Sequence, residues 1–483
     1  MQNIFFSPAK ARILWLNTFL VCSTFIAAAQ NSKTKSVTAP EIVPDTGKVS
    51  LLMPVTVKDT GTSKSGDYLT LQQCIEYAKQ HQPAVNISKI NINIAQTNNL
   101  INLSTALPQI SASGDLIHYL QQSQAGTSTT GSATTGTTSS SGHNYSFVPG
   151  IAVTQSVFNP SLLYAFKSAP LYVKQAQQQS DSTKIFLVSA VSKSFYTLLL
   201  TLEQINVLKE DTAQFGKSFR DAYLQYKGGI VDETDYEQAE ITLNNTRAQL
   251  KQANENVVPQ YATLKQLIGY PTDKQFNVVF DTLEMMKNIH VDTTEQLQFE
   301  KRIEFQLLGT NKSLLDQQVN YYRYSFLPTV SAFYNYNLAY ENNHFSDLFS
   351  TSYPSSLVGI SLSIPIFTGF NRLNNLHKSR LQEQVLDWQQ TDLKSQINVQ
   401  YTTALANYKG NYYNLQILQK NVALSRRVYF VVSLQYRQGV VPYLNVITAE
   451  TNLINSEINY LNALFQVLSN KIDLEKAMGN ISY

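Results

Sequence analysis

The segment "FLPTVSAFYNYNLAY", Phe326 to Tyr340, repeats in outline a segment found 220 positions earlier, "LPQISASGDLIHY", Leu107 to Tyr119. After a shared Leu-Pro, each alternates apolar residues with small or polar ones. Alternation with a period of two gives a strand one apolar face and one polar face. The sequence therefore predicts two amphipathic strands, one in each half of the chain.

Further segments repeat at an almost constant offset of 209 or 210 positions. "LQYKGGIVDETDYEQAE" (224–240) resembles "LQYRQGVVPYLNVITAE" (434–450), and "KQLIG" ending at Gly269 resembles "EKAMG" ending at Gly479. A longer loop in the first copy explains the larger offset at the Leu-Pro pairs. We infer a duplicated unit, because a period this long exceeds that of solenoid repeats.

The duplication divides the chain into two tandem units with joining segments. The first unit spans 69–269 and the second 293–479. Residues 30–68 form an N-terminal segment rich in Ser, Thr, Lys and Pro, which we expect to be extended. The joining segment 270–292 contains one short strand candidate, Phe276 to Phe280.

Each unit is predicted to contain a helix, two strands, a very long helix and a final helix. The predicted bounds are strands 109–120 and 145–158 and helices 161–226 and 233–267 in the first unit, and strands 329–340 and 357–367 and helices 371–436 and 444–477 in the second. At ~1.5 Å per residue each long helix would reach ~100 Å. Because globular helices are far shorter, we expect a local interruption in each.

The final helix of each unit carries a heptad seam of apolar and small residues. Its positions are Ala239, Leu243, Thr246, Leu250, Ala253 and Val257 in the first unit, and Ala449, Leu453, Ser456, Tyr460, Ala463 and Val467 in the second. This spacing predicts coiled-coil packing. A second apolar stripe that includes Ile454 and Ile458 indicates packing on both flanks, as in a closed ring of helices; a simple two-helix hairpin would need one stripe.

Small and amide side chains lie on the polar side of both strands of the second unit. They are Ser331, Asn335, Asn337, Ser361 and Ser363. We interpret this side as the wet lumen of a membrane barrel, and the apolar side as its lipid-facing surface. The strand lengths match a membrane span of ~9–11 residues, and the Gly/Ser/Thr tract 121–144 suits a long outer loop. The alternative is an ordinary antiparallel sheet packed against helices.

Four strands are too few to close a barrel, since known membrane barrels have at least ~8. Lipid does not tolerate an open sheet edge, because each unpaired backbone group costs several kcal/mol. We therefore expect a barrel shared between chains, with eight strands from two copies or twelve from three.

The first 29 residues have the pattern of a secretory signal peptide. Lys10 and Arg12 precede the apolar run 13–29, which ends in an Ala-x-Ala pattern at Ala27 and Ala29. The alternative, a membrane-anchor helix, would need a longer apolar run. No later stretch has 18 consecutive apolar residues, so we expect strands, not helices, to cross the membrane.

Sequence motifs for catalysis or cofactor binding are absent. We find no phosphate-binding loop, nucleophile elbow or zinc-protease motif, and the six histidines are scattered singly. Cys74 has no nearby cysteine with which to form a metal site, and Glu240 and Glu450 are expected to be helix-surface charges. A net charge of +3 does not favour nucleic acid as a partner. We therefore expect no enzyme activity, cofactor or metal.

Taken together, these segments resemble the TolC-like outer-membrane efflux family. "SIPIFTGF" (363–370), with Pro365 and Gly369, is similar to the family's Pro-x-Phe-x-Gly switch from strand to helix. The segments around Gly229 and Gly439 are similar to its Tyr-x-x-Gly turn. The ordered set occurs twice and covers nearly the whole chain after the signal peptide.

The resemblance implies a homotrimer in the outer membrane of a Gram-negative bacterium. A 12-stranded barrel would contact outer-membrane lipid, and a 12-helix barrel would cross the periplasm. The chain would be the passive exit duct of a tripartite efflux system for small molecules, docked to a periplasmic adaptor and an RND- or ABC-type inner-membrane pump. The alternatives are the outer-membrane component of type I protein secretion and, in another class, a structural or adhesive surface coiled coil.

The resemblance also implies a duct that closes at the helical tips. We place the second-unit tip within 407–427, with Tyr408, Asn411, Tyr412 and Arg426 as candidate aperture residues. Some relatives have an aspartate ring there, but this segment contains no aspartate. Tyr408 and Tyr412 share one helix face, which suggests a tyrosine and amide constriction. The alternative is that this face packs against a neighbouring helix.

Overall fold

The computed structural model describes residues 67–120, 143–279, 289–291 and 294–483. The predicted signal peptide and nearly all of the N-terminal segment lie outside the described residues. The same is true of the central part of the Gly/Ser/Thr tract, 121–142, and of 280–288 in the joining segment.

Seven α-helices and six strands make up the described part of the chain. The helices are α1 (Leu71–His81), α2 (Pro83–Ser104), α3 (Pro160–Lys227), α4 (Glu233–Ile268), α5 (Ile303–Tyr324), α6 (Asn371–Arg437) and α7 (Tyr443–Met478). The strands are β1 (Asp67–Leu69), β2 (Gln109–His118), β3 (Tyr145–Phe158), β4 (Phe276–Val278), β5 (Thr329–Asn342) and β6 (Ser352–Ser363). The order helix, two strands, long helix, helix therefore occurs twice.

The two long helices are continuous, so the expected interruption in each was wrong. Helix α3 has 68 residues and α6 has 67. Gly216 and Gly410 lie inside them, and each costs only ~1 kcal/mol relative to alanine. Pro170 removes one hydrogen bond near the start of α3. Tertiary packing offsets these local costs, because α3 contacts α2, α4, α5 and α7.

The long helices end in tight turns built on glycine. Gly229 and Gly439 have φ of +70° and +72°, which residues with a Cβ rarely adopt. The Ile230 N–H donates to the Gln225 carbonyl at 2.9 Å. In the second unit, the Val440 N–H donates to the Gln435 carbonyl at the same distance. These bonds satisfy carbonyls that a helix end leaves free. The turns connect α3 to α4 and α6 to α7.

The turns lie at 228–232 and 438–442, so the predicted tip segment 407–427 was wrong. That segment lies inside α6. At ~1.5 Å per residue, Tyr408 is ~45 Å from the end of its helix. The one glycine in 407–427, Gly410, takes helical geometry inside α6, and the turn is built on Gly439 instead.

Strands β2, β3, β5 and β6 form one antiparallel sheet in that order. Strands β2 and β6 are its edges and have no further partner within the described chain. Strand β6 spans Ser352–Ser363, where 357–367 was predicted. The difference arises because β5 begins at Thr329, opposite Ser363, so later residues have no partner strand. Pro365 also lacks an N–H to donate.

The strand-to-helix switch before α6 contains two consecutive residues in the left-handed conformation. Gly369 has φ of +59° and Phe370 has φ of +63°. Phe370 is the N-cap of α6. The segment that resembled the family's Pro-x-Phe-x-Gly motif therefore forms a tight bend rather than the end of a strand.

The main cores lie where the short segments meet the long helix pairs. Strand β1 pairs in parallel with β4, next to a cluster that includes Cys74, Phe195, Leu264 and Ile268. A second cluster joins Ile289 to α6 and α7. The sequence did not indicate β1, which falls at the end of the segment expected to be extended.

Among the described helices, α3 alone is long and apolar enough to meet the length and composition criteria for a membrane span. Its most apolar 18-residue window has a mean hydropathy of 1.7, and half of that window is buried inside the protein. This burial is explained by the packing of α3 in the first core. The window contains charged and polar positions, so it is not an uninterrupted apolar run.

Candidate functional site

One face of the four-stranded sheet is lined by small and polar side chains. The strand register places all five candidate lumen residues on this face: Ser331, Asn335, Asn337, Ser361 and Ser363. Ser331 lies directly opposite Ser361, and side chains of opposite residues share a face. A row across all four strands reads Ser113, Gly150, Asn337, Ser355.

Glycines on this face make room for larger neighbours. A Cβ on Gly150 would collide with the Asn337 amide, and one on Gly359 would lie 2.6 Å from the Phe333 ring. Both larger side chains therefore lie across the sheet over a glycine. Leu357, opposite Asn335 and 58% exposed, is an apolar exception on this face.

The opposite face of the sheet is apolar and exposed. A row across the four strands reads Ile110, Val153, Tyr334, Val358. Ile110 is 73% exposed, Val358 78% and Ile360 77%. An apolar surface of this extent is a binding surface or faces lipid. No helix of the described chain covers it.

Aromatic rings collect at one end of this apolar face. Phe147, Tyr340 and Phe349 form mutual ring contacts, with centroids 5.4–6.3 Å apart. Tyr145 contacts Phe345 edge-on at 5.6 Å. Rings at the rim of an apolar band are typical of membrane barrels, whose aromatic girdles lie at the lipid–water interface.

Tyr408 lies in the packed interior, not at an aperture. It is 4% exposed; its hydroxyl donates to the Ile289 carbonyl at 2.7 Å and accepts from the Val291 N–H at 3.2 Å. Tyr412 stacks on Tyr408, with centroids 6.0 Å apart, and contacts His290. The structure thus favours the packing alternative for this helix face over a constriction.

The other two aperture candidates also lie along the shaft of α6. Asn411 is partly buried. The Arg426 guanidinium pairs with the Glu457 carboxylate on α7 at 2.7 Å. The four candidates therefore do not form one ring at the turn, and the arginine has a structural partner within the chain.

Glu450 is buried, so its interpretation as a helix-surface charge was wrong. It is 1% exposed and accepts a hydrogen bond from the Ser218 hydroxyl at 3.2 Å and one from Tyr429. Its counterpart Glu240 is exposed, as expected. The two equivalent positions differ because α7 packs between α3 and α6, whereas α4 has α3 as its main partner.

Polar side chains of α3 and α7 form contacts between the two helices that the sequence did not indicate. Lys193 pairs with Asp473 at 2.5 Å, and Gln204 donates to Asn462 at 3.2 Å. The polar residues 204, 211, 218 and 225 of α3 recur every seven positions. That spacing could have indicated the row, but its partners lie more than 200 residues away.

Metal-binding and reactive groups are not apparent in the part of the chain that the structure describes. That part has no group of three or more His, Cys, Asp or Glu side chains arranged to hold a metal ion. Cys74 is fully buried, and burial raises the pKa of its thiol to about 12. A thiol of this kind is unreactive.

Comparison with known proteins agrees with this architecture. The sequence profile of the family described as "Outer membrane efflux protein" matches residues 74–270 and 311–480. Outer membrane protein TolC of Vibrio cholerae serotype O1 is 21% identical over 359 residues, 69% of this chain and 76% of that protein. The probable efflux pump outer membrane protein TtgC of Pseudomonas putida is 22% identical over 416 residues, 85% of this chain and 82% of that protein.

The fold is also that of solved outer-membrane proteins. The crystal structure of VceC from Vibrio cholerae superimposes with a TM-score of 0.68 at 15% identity, covering 85% of this chain and 96% of that one. An amphipathic sheet joined to very long helix pairs is the architecture of an outer-membrane channel subunit. The chain belongs to the outer membrane efflux protein family, which confirms the resemblance seen in its sequence.

Proposed function

We propose that this protein is the outer-membrane channel of a tripartite efflux system, a passive exit duct for small molecules across the periplasm and outer membrane. The observation that carries the proposal is the sheet with one polar and one exposed apolar face, continuous with helices ~100 Å long. The lengths of the strands match a membrane span, and the lengths of the helices are suited to crossing the periplasm. The TolC and TtgC relatives carry outer-membrane names, and TtgC an efflux-pump name.

The channel is a homotrimer in this proposal. The sheet has two free edges, β2 and β6, and lipid does not tolerate unpaired edges. Pairing β6 of one copy with β2 of the next closes a barrel of twelve strands from three copies. The polar face would then line the lumen, and the apolar face would contact lipid.

Exposed apolar residues on the long helices support the same assembly. On α6 they form a stripe of Ile417, Leu424, Val428 and Val431, each 37–60% exposed in the single chain. On α2, Ile87, Ile90 and Ile94 form another, each at least 50% exposed. Stripes at heptad spacing are seams for neighbouring helices, and a second copy of the chain supplies such neighbours.

The inner end of the duct lies at the turns 228–232 and 438–442 in this proposal. Ile230 is 75% exposed and Val440 is 67% exposed there, although both are apolar. We assign this end to docking with the periplasmic adaptor, through which the inner-membrane pump would deliver substrate. The chain itself supplies no energy.

The test is the mass and conductance of the purified full chain in detergent. Light scattering should give three chains per particle, and the particle should form ion-conducting pores in planar bilayers. Deletion of the gene should sensitise the cell to toxic small molecules while leaving secreted proteins unchanged. A folded monomer without conductance would contradict the channel, and loss of secreted proteins alone would assign the duct to type I secretion.

A further inference from the structure

Three carboxyl groups are buried together where α3, α6 and α7 meet. Asp211 of α3 is 8% exposed, Glu450 of α7 is 1% exposed and Glu457 of α7 is 9% exposed. Arg426 of α6 pairs with Glu457. Arg426 thus neutralises one of the three acids, and ionising the other two as well would leave net negative charge buried, which is costly.

Of the three carboxyl groups, Asp211 has the fewest stabilising partners. Among the described residues, its Oδ2 atom has no hydrogen-bond partner. The charged groups that face it are Glu457 and Glu450 of α7, Glu210 of its own helix and Arg426 of α6. Three of these four carry negative charge, so the surroundings disfavour a carboxylate at Asp211.

Protonation of two of these carboxyl groups, Asp211 and Glu450, reduces the buried negative charge. Burial, followed by the neighbouring acids, raises the pKa of Asp211 to about 7. Burial raises the pKa of Glu450 to about 7, although hydrogen bonds from Ser218 and Tyr429 act in the lowering direction. Both groups would regain ordinary acid pKa values if the helices separated and water entered.

The cluster lies close to the turns that end the helix pairs. Glu450 is about two helical turns into α7, ~11 Å from its start, and Asp211 is ~24 Å from the end of α3. Here α3, of the first pair, contacts α7, of the second pair. A change in this contact therefore changes how the two pairs sit against each other near their ends.

We propose that Asp211 and Glu450, with the Arg426–Glu457 ion pair, form a proton-dependent latch between the two helix pairs. When the two carboxyl groups are protonated, α3 and α7 pack together. When they ionise, the contact between the pairs weakens and the pairs separate towards the turns. The latch rests on the proposed channel function for its physiological role, since separation there widens the inner end of the duct.

The direction of the pH response follows from the raised pKa values. Between about pH 4 and pH 7 the packed state holds more protons than a separated, hydrated state. The packed state is therefore favoured at low pH and loses stability as the pH rises through about 7. Each coupled proton changes the ratio of separated to packed states by up to about tenfold per pH unit in this window.

Spin-label distance measurements on the full chain in detergent test the latch without relying on transport. Labels at Lys217 on α3 and Asn452 on α7, both exposed, report the gap between the pairs; dilution with unlabelled protein isolates distances within one chain. From pH 5.5 to pH 8.0 the ratio of long to short distances should rise at least tenfold. In the double variant Asp211→Asn, Glu450→Gln, whose side chains cannot ionise, the short distance should persist at both pH values.

The matched control is Glu240→Gln, at the equivalent position of the first repeat, where the side chain is exposed. It should keep the full pH response. If the double variant does not fold, Asp211→Asn alone should reduce the response. A wild-type distance that ignores pH, or a double variant that keeps the wild-type response, would overturn the latch.

Conductance in planar bilayers separates failure of the latch from failure of the channel. Pores that conduct at every pH with pH-independent distances would keep the channel and reject the latch. Distances that change with pH in a protein that never conducts would keep the latch and reject the channel.

Discussion

At the residue scale, glycine at the helix turns is required by backbone geometry alone. Gly439 has φ of +72°, yet no atom lies within 4 Å of where its Cβ would be. The penalty for any other residue is therefore conformational rather than steric. Gly410, inside α6, has equally open surroundings but takes helical geometry.

This contrast predicts opposite effects of one substitution. Gly439→Ala should lower the free energy of unfolding by about 1–2 kcal/mol, the cost of a left-handed alanine. Gly410→Ala should raise it by about 0.5–1 kcal/mol, because alanine is the better helix former. Chemical denaturation of both variants in detergent checks the pair; equal shifts would contradict the assigned role of the turn.

A second residue-scale prediction concerns the buried tyrosine of α6. Tyr408→Phe removes the hydroxyl that bonds Ile289 and Val291, and it leaves the Ile289 carbonyl buried without that donor. We expect a loss of about 1–3 kcal/mol in stability and no change in pore conductance. The control is Tyr413→Phe at a 67% exposed position, which should be neutral. A large conductance change in Tyr408→Phe would restore the constriction hypothesis.

At the scale of elements, the length of β6 is set by its partner strand β5 rather than by its own sequence pattern. Apolar alternation continues through Ile364 and Ile366, but the strand stops at Ser363, opposite the first residue of β5. The long helices also depend on their partners, since packing keeps them continuous at a length that suggested an interruption. The local sequence pattern identified the elements, and contacts with neighbouring elements of the same chain determined where they end.

The two faces of β6 should respond differently to charge. Ile360→Lys puts a cation on the face we assign to lipid, at an expected cost of about 2–4 kcal/mol if it lies near the bilayer midplane. Ser361→Lys, on the adjacent residue of the polar face, should be tolerated. Yield of folded protein in purified outer membranes measures the difference; equal losses would mean that the apolar face is covered by protein.

At the scale of the whole molecule, a single chain leaves its sheet edges and its apolar helix stripes without partners. Both features point to the same solution, several copies around one axis. We expect Val428→Glu, in the α6 stripe, to reduce the trimer fraction in detergent about tenfold, because burial of an unpaired carboxylate opposes association. Val428→Leu, which keeps the site apolar, should leave it unchanged. A Val428→Glu protein that remains fully trimeric would place this stripe outside the subunit contact.

Short-range patterns in the sequence were enough to find the amphipathic strands and the long helices, while segments repeated at an offset of 209 or 210 positions revealed the duplication and an ordered set of motifs indicated the family. Those features depend on side-chain alternation and glycine positions that neighbouring residues express directly. Tertiary structure alone decided the continuity of the helices, the end of β6, the burial of Tyr408 and the carboxyl cluster around Asp211 and Glu450. Each of those depends on contacts between residues distant along the chain, and equivalent positions of a repeat, such as Glu240 and Glu450, can become exposed or buried according to what packs beside them.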